Sequence, residues 1–159
     1  MKILLLLPIF FCSLAFSEDF NLICEGERKV RNLSSKEFNV TNFESVLLKI
    51  NKNSMDYIGL NSGRSYFLSN REYTAPKRPP HEDIKITDQY QYTPRTIKAS
   101  QMIADTGDSE ESSINLFSLD VNLLTGELNE TEITRNKKTN VKSMSNNFQA
   151  LCKKEDRSY

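Results

Sequence analysis

The chain has 159 residues, with 21 Lys+Arg against 21 Asp+Glu, so its formal net charge is zero. That length suits one domain rather than two, and the balance removes the electrostatic drive of a nucleic-acid binder. A multidomain enzyme, a membrane-spanning protein and a charge-driven nucleic-acid binder are therefore excluded.

Residues 1–17 carry the charge of Lys2, an apolar run from Ile3 to Leu14, and then Ala15-Phe16-Ser17. This is the order of a secretory signal, with Ala15 and Ser17 at the −3 and −1 positions. A membrane helix needs about 20 apolar residues, and Pro8 and the early end of the run argue against one. Cys12 follows Phe11, where a lipoprotein signal would carry a small residue. Cleavage before Glu18 is expected, leaving residues 18–159 as one exported domain, periplasmic or secreted, in a bacterial host. Those 142 residues hold 20 basic and 21 acidic side chains, and Leu, Ile, Val and Phe sum to 32, about 23%. That is just above the roughly 20% below which chains stop folding, and the high net charge of disorder is missing.

Apolar residues then recur with period two rather than 3.6. Phe20, Leu22 and Cys24 alternate, as do Val46, Leu48 and Ile50. Ile84, Ile86, Tyr90 and Tyr92 continue the pattern around Asp88, and Phe117, Leu119 and Val121 form another set. Strands are predicted near 20–25, 43–50, 55–60, 64–69, 83–92, 96–104, 113–121, 126–134 and 148–153. Asn51 to Ser54, Asn61-Ser62-Gly63 and Leu124-Thr125-Gly126 read as hairpin connections. The best helix candidate, Ser34 to Asn42, is short and contains Val40 and Thr41. Asn70 to Pro80, Asp105 to Ser113 and Thr134 to Asn147 are predicted loops: proline-rich, acidic, and basic with many asparagines. The fold class expected is all-β, a single antiparallel domain of mostly consecutive strands forming a barrel or strongly curled sheet, with a β-sandwich as the alternative.

Cys24 and Cys152 lie near the two ends of the exported chain. An even pair in an oxidising compartment is expected to be a disulfide, setting the terminal strands side by side and closing the edge of the sheet.

No catalytic constellation assembles. Asp105-Thr106-Gly107 matches the active-site turn of aspartic proteases, but that chemistry needs two carboxylates sharing a proton. No second copy exists, and Asp108 adds a disturbing charge. Asp105, Asp108, Glu110 and Glu111 could offer oxygens to a hard cation, yet lack the alternating spacing of a calcium loop, so a solvated tip is expected. His81 is the one histidine and has no metal partners or nucleophile elbow. The five glycines are scattered and form no phosphate loop. The basic residues Lys77-Arg78, and Arg135, Lys137, Lys138 and Lys142, read as solvated loops without aromatic interleaving. Asn32, Asn39 and Asn129 head glycosylation sequons that matter only in a eukaryotic host. No enzyme activity, no cofactor and no metal are expected.

Phe20 to Gly26 resembles the opening strand of an uncharacterised group of small exported bacterial β-rich proteins with a terminal cysteine pair. Those proteins start with two hydrophobic residues and Cys-x-Gly, carry an apolar-Asp strand running into Thr-Gly, and end on Phe-x-x-x-Cys. Here these are Ile23-Cys24-Glu25-Gly26, Leu119-Asp120 leading to Thr125-Gly126, and Phe148 to Cys152. The likeness covers both ends and the last third, with two extra residues between Asp120 and Thr125. It implies an exported, disulfide-closed β domain and carries no activity.

Ser62-Gly63-Arg64-Ser65-Tyr66 also resembles the Ser-Gly-x-x-Tyr motif of periplasmic inhibitors of c-type lysozyme, small exported β barrels. That resemblance implies a binding role for Ser62, Gly63 and Tyr66. The function expected is binding of a macromolecular partner in the envelope, of inhibitor or immunity type. The alternative is a carrier holding a small apolar ligand in a barrel cavity.

Overall fold

The computed structural model describes residues 19–32, 39–76, 83–107 and 112–155. The segment predicted as a signal, His81, Lys77-Arg78 and Asp108 to Glu111 lie outside them. Ten strands follow one another: β1 (Phe20–Asn32), β2 (Asn39–Ile50), β3 (Ser54–Gly59), β4 (Ser65–Ser69), β5 (Arg71–Ala75), β6 (Ile84–Tyr92), β7 (Thr96–Asp105), β8 (Ser113–Asn122), β9 (Glu127–Asn136) and β10 (Lys142–Lys154). They form one antiparallel sheet in the order β4-β3-β2-β1-β10-β9-β8-β7-β6-β5, curled until its two edges nearly meet as a barrel. The all-β, single-domain expectation is met, as barrel rather than sandwich. Among the described residues no helix is long and apolar enough to cross a membrane.

Three predicted elements need correction. Residues 39–42 of the helix candidate are strand, and Ser34 to Phe38 lie outside the described residues. The β-branched Val40 and Thr41 lose side-chain freedom in a helix and fit a pleated strand. The proline-rich loop contains β5 over Arg71–Ala75. Pro76 follows that strand directly, and β5 has a neighbour on one side only, where a missing donor costs nothing. The basic, asparagine-rich loop shrinks to residues 137–141, because β9 reaches Asn136 and β10 begins at Lys142. Polar residues occupy both faces of those strand ends because the barrel interior is itself polar there.

The terminal strands do pair, from Leu22↔Lys154 to Asn32↔Met144, with Cys24 opposite Cys152. Their sulfurs stand at bonding distance, 2.06 Å. This pairing sits in the middle of the sheet order, so the edges lie elsewhere, at β4 and β5. Two consecutive side chains between those edges latch the seam. Asn70 donates to the Tyr90 carbonyl at 3.0 Å and accepts from the Tyr90 N–H at 2.8 Å, replacing a strand neighbour. Arg71 donates to the Phe67 carbonyl of β4 at 2.9 Å and to the Asp88 carboxylate of β6. Its guanidinium stacks between the Phe67 and Tyr73 rings, 4.8 and 4.9 Å from their centroids.

Curling so short a sheet forces backbones together, and one glycine answers this. Gly26 faces inward, and a Cβ there would lie 1.9 Å from the Gln149 carbonyl oxygen of β10. Glycine is needed wherever backbone approaches backbone this closely. Gly26→Ala is therefore expected to displace β1 and cost about 1–3 kcal/mol, the usual range for overpacking. Urea unfolding checks this; an unchanged midpoint would show that β1 yields freely.

Alternate residues fill the interior in two layers. One end is apolar, built from Leu22, Cys24, Leu48, Ile97, Val121 and Leu128 among others. Tyr57, Phe117 and Phe148 close this layer at mid-barrel. The other end is charged.

Candidate functional site

The charged layer arises by continuing each strand's inward phase. On β1 the sequence Leu22, Cys24, Gly26 leads to Arg28, and on β2 Ile50, Leu48, Val46 leads to Glu44. On β9 Leu128 is followed two residues on by Glu130 and then Glu132. Four charged side chains thus meet inside the protein, where unpaired charge is strongly disfavoured. Arg28, 3% exposed, holds them together. It binds both Glu130 oxygens at 2.6 and 3.1 Å, donates to the Tyr57 hydroxyl at 2.8 Å and to Glu44, and lies 4.7 Å over the Phe148 ring. Tyr57 in turn donates to Glu130 at 2.6 Å.

Glu132 is gripped separately. The side-chain amides of Asn115 and Asn146 donate to its two oxygens at 3.0 and 2.8 Å, and Arg64 stands 3.0 Å away. Burial alone would raise the Glu132 pKa, but these two hydrogen bonds and the charges of Arg64 and Arg28 hold it below its ordinary value. For Arg28, burial works to lower the pKa, yet the bonds and charge of Glu130 outweigh it and the guanidinium is held above its usual value. Burial, then the charge and hydrogen bond of Glu130, push the Tyr57 phenol up, so it stays a donor at neutral pH. Glu132 is thereby held as a carboxylate, Arg28 as a guanidinium and Tyr57 as a neutral phenol.

Arg64 links this interior to the outside. It follows Asn61-Ser62-Gly63, the turn joining β3 and β4, and its side chain is one quarter exposed. Ser62 and Gly63 stand exposed at the turn, with Gly63 in the left-handed conformation at φ 68°. Tyr66 points the other way. It is half-buried, stacked on Phe117 at 4.6 Å and edge-on to Tyr57 at 5.4 Å, and burial raises its pKa. The three residues of the Ser-Gly-x-x-Tyr motif therefore divide, with Ser62 and Gly63 facing solvent and Tyr66 inside.

What accompanies the exposed turn is apolar. Asn61 donates to the Phe43 carbonyl at 3.3 Å and accepts from the Ser45 N–H at 3.1 Å, binding the turn to β2. Leu60 donates its N–H to the Ser45 carbonyl. These bonds hold the backbone at Leu60 and Asn61 against Ser45 and Phe43, and the Phe43 and Leu60 side chains are both exposed, 65% and 55%. Neither was singled out from sequence, because Phe43 reads there as the first residue of a buried strand.

The remaining candidates have local roles. Buried Asp105 accepts from the Ser113 N–H at 2.8 Å and its hydroxyl at 3.2 Å. Thr106 binds the Asp83 carbonyl through its N–H and hydroxyl, at 2.9 and 2.8 Å. Lys137 from the basic segment donates to the Gly107 carbonyl at 2.6 Å, so the acidic and basic loops pack on each other. The residues carrying the exported-protein resemblance also converge. Gly126, at φ 76°, binds the C-terminal cysteine, its carbonyl accepting the Cys152 N–H at 2.7 Å. Cys24, Gly26, Gly126 and Cys152 thus form one backbone junction of β1, β10 and the β8–β9 turn. No protein-family model, no curated protein and no solved structure matches this chain.

Proposed function

We propose that this chain is an exported, non-enzymatic binding protein of the cell envelope, of inhibitor or immunity type, that meets a protein partner with its β3–β4 turn. The observation that carries this reading is the pairing of exposed Phe43 and Leu60 beside Ser62-Gly63. An aromatic and a leucine held in fixed positions by backbone hydrogen bonds are suited to anchor an interface, since their ordering cost is met before binding. Arg64 adds rigidity by tying the turn to buried Glu132. The filled interior speaks for binding at the surface rather than carriage of a ligand. The apolar end does open into a groove of about 250 Å³ lined by Phe20, Leu22, Val121 and Leu123, below the roughly 300 Å³ at which ligand pockets begin.

The test is a lysis assay with a c-type lysozyme and protein purified after expression of the whole 159-residue chain. Inhibition is expected, weakened tenfold or more by Phe43→Ser with Leu60→Ser while the far-ultraviolet circular dichroism stays native. Absence of inhibition retires the lysozyme version. Equal inhibition by the double variant retires the turn as the binding element.

A further inference from the structure

We infer that the partner's contact surface is cationic with apolar anchors, and that it lies across the outer faces of β1, β10 and β9. This inference rests on the binding reading above and names the chemistry of the partner. A groove of about 540 Å³ crosses those strands, and its side chains include Glu25, Glu27, Glu127, Asn129, Gln149 and Leu151. No cationic residue is among the described residues lining it, and Lys29, on the same outward phase of β1, stands 3.9 Å from Glu27 in a solvent-exposed pair that a partner's cation can displace. Strand register fixes the pattern. Leu151 of β10 stands opposite Glu25 of β1 on one side and Glu127 of β9 on the other. Glu27 stands opposite Phe43 of β2 and Gln149 of β10. Leu151 is 63% exposed and Phe43 is 65% exposed, so each apolar side chain is bordered by carboxylates on an open face.

The spacing selects among occupants. Glu25 and Glu127 are two strands apart, about 9–10 Å, and Glu25 and Glu27 are two residues apart along β1, about 7 Å. Such distances are too long for one chelated metal ion, whose oxygens lie at about 2.0–2.6 Å. They match a segment of another protein carrying lysine or arginine on alternate residues. An anionic lipid surface or nucleic acid would be repelled. A second copy docked about a twofold axis would place the same patch on itself, carboxylate against carboxylate. The groove borders Phe43, so it continues the apolar step beside the β3–β4 turn into one surface. Charges at such a rim steer association and are screened by salt, while the leucine and phenylalanine supply the desolvated contact.

The probe is a short synthetic peptide of alternating lysine and leucine, with an alternating glutamate–leucine peptide as its counterpart. Both are titrated at low salt into protein purified from the whole chain and followed by amide chemical shifts. The cationic peptide is expected to bind, with shifts concentrated on β1, β10 and β9, and its counterpart is expected not to. Glu25→Gln with Glu27→Gln and Glu127→Gln should weaken the complex about tenfold, the sum of three exposed pairs. These exposed substitutions leave the core intact, and unchanged thermal unfolding verifies it. No binding, equal binding of both peptides, or undiminished binding by the triple variant overturns the inference. A lysozyme that the triple variant still inhibits like the unsubstituted protein, and the Phe43/Leu60 variant does not, would overturn this inference and leave the binding reading standing.

Discussion

Replacing Arg28 with methionine is expected to cost about 3–5 kcal/mol of folding stability, as removal of one partner from a buried ion pair does. Against the 5–15 kcal/mol of a typical domain this is a large share. The physical reason is what stays behind. Glu130 is fully buried and Glu44 nearly so; Arg28 pairs with both, while Arg64 stands 3.7 Å from Glu130 alone. Tyr57 would still donate to Glu130 and Arg64 would stay 3.7 Å from it, but Glu130 would lose its two-oxygen partner and Glu44 its Arg28 ion pair in a low-dielectric interior. Arg28→Lys should recover only part of the loss. An ammonium cannot meet two Glu130 oxygens, Glu44 and the Tyr57 hydroxyl together, and it forfeits the planar stack on Phe148. Arg28→Met with Glu130→Gln and Glu44→Gln should recover more, because neutral groups of similar volume often replace buried charges with little penalty. Urea midpoints at unchanged slope measure all three. An Arg28→Met midpoint equal to that of the unsubstituted chain would show that water reaches the layer and that it is not a buried lattice.

The same layer fixes how stability varies with pH. Glu132 has its folded pKa held below its ordinary value of 4.5, so its contribution is present above 4.5 and is lost as pH falls through the folded value. Tyr57 has its folded pKa raised above its ordinary value of 10, so folding is favoured below 10 and weakened as pH rises past it. Arg28 is raised from a value already beyond the accessible range and contributes no slope within it. The stability curve should therefore be flat across neutral pH and fall at both ends. Removing the Glu132 carboxylate by Glu132→Gln should flatten the acid limb specifically.

That layer was legible in the sequence only in part, and the reason is the phase of the strands. Period-two alternation locates Phe20-Leu22-Cys24, Val46-Leu48-Ile50 and Phe117-Leu119-Val121, because one face of each is apolar and one polar. Carried two and four residues further, the same phase runs into Gly26 and Arg28, and backward from Val46 into Glu44. There the pattern turns polar on both faces, so the strands look as if they end. For this reason the predicted strands near 20–25 and 43–50 fall short of β1 and β2, and Thr134 to Asn147 reads as a loop although most of it is strand. A charged residue in phase with a hydrophobic stripe, as Glu130 and Glu132 are after Leu128, was the available signal. The proposed docking face lies beyond any such pattern. Glu25, Leu151 and Glu127 are neighbours through register across strands far apart in sequence, and no local spacing encodes that. The seam is equally non-local, since Asn70 recognises the backbone of Tyr90 rather than a sequence partner.

Removing the Cys24–Cys152 link by paired alanine substitutions is expected to lower stability by about 2–5 kcal/mol while leaving the native circular dichroism in place. The two halves of that expectation have different origins. Eleven residue pairs join β1 to β10, and Cys24 is completely buried beside Val46, so the strands stay together once folded whether or not the sulfurs are bonded. What the bond changes is the unfolded chain. It joins residues 128 apart, and holding so long a loop closed removes entropy from the unfolded ensemble worth up to about 5 kcal/mol. Without it, the pairing at the centre of the sheet has to be found by two strands at opposite ends of the chain, which also slows folding. The effect is large here because apolar residues are scarce and one end of the barrel interior is given over to charge, so burial alone supplies less of the balance than in an apolar core. Thermal unfolding with and without reductant, alongside the alanine pair, measures it. A midpoint indifferent to both, or two titratable thiols in the native protein from an oxidising compartment, would show that the charged layer and the seam hold the barrel without the link.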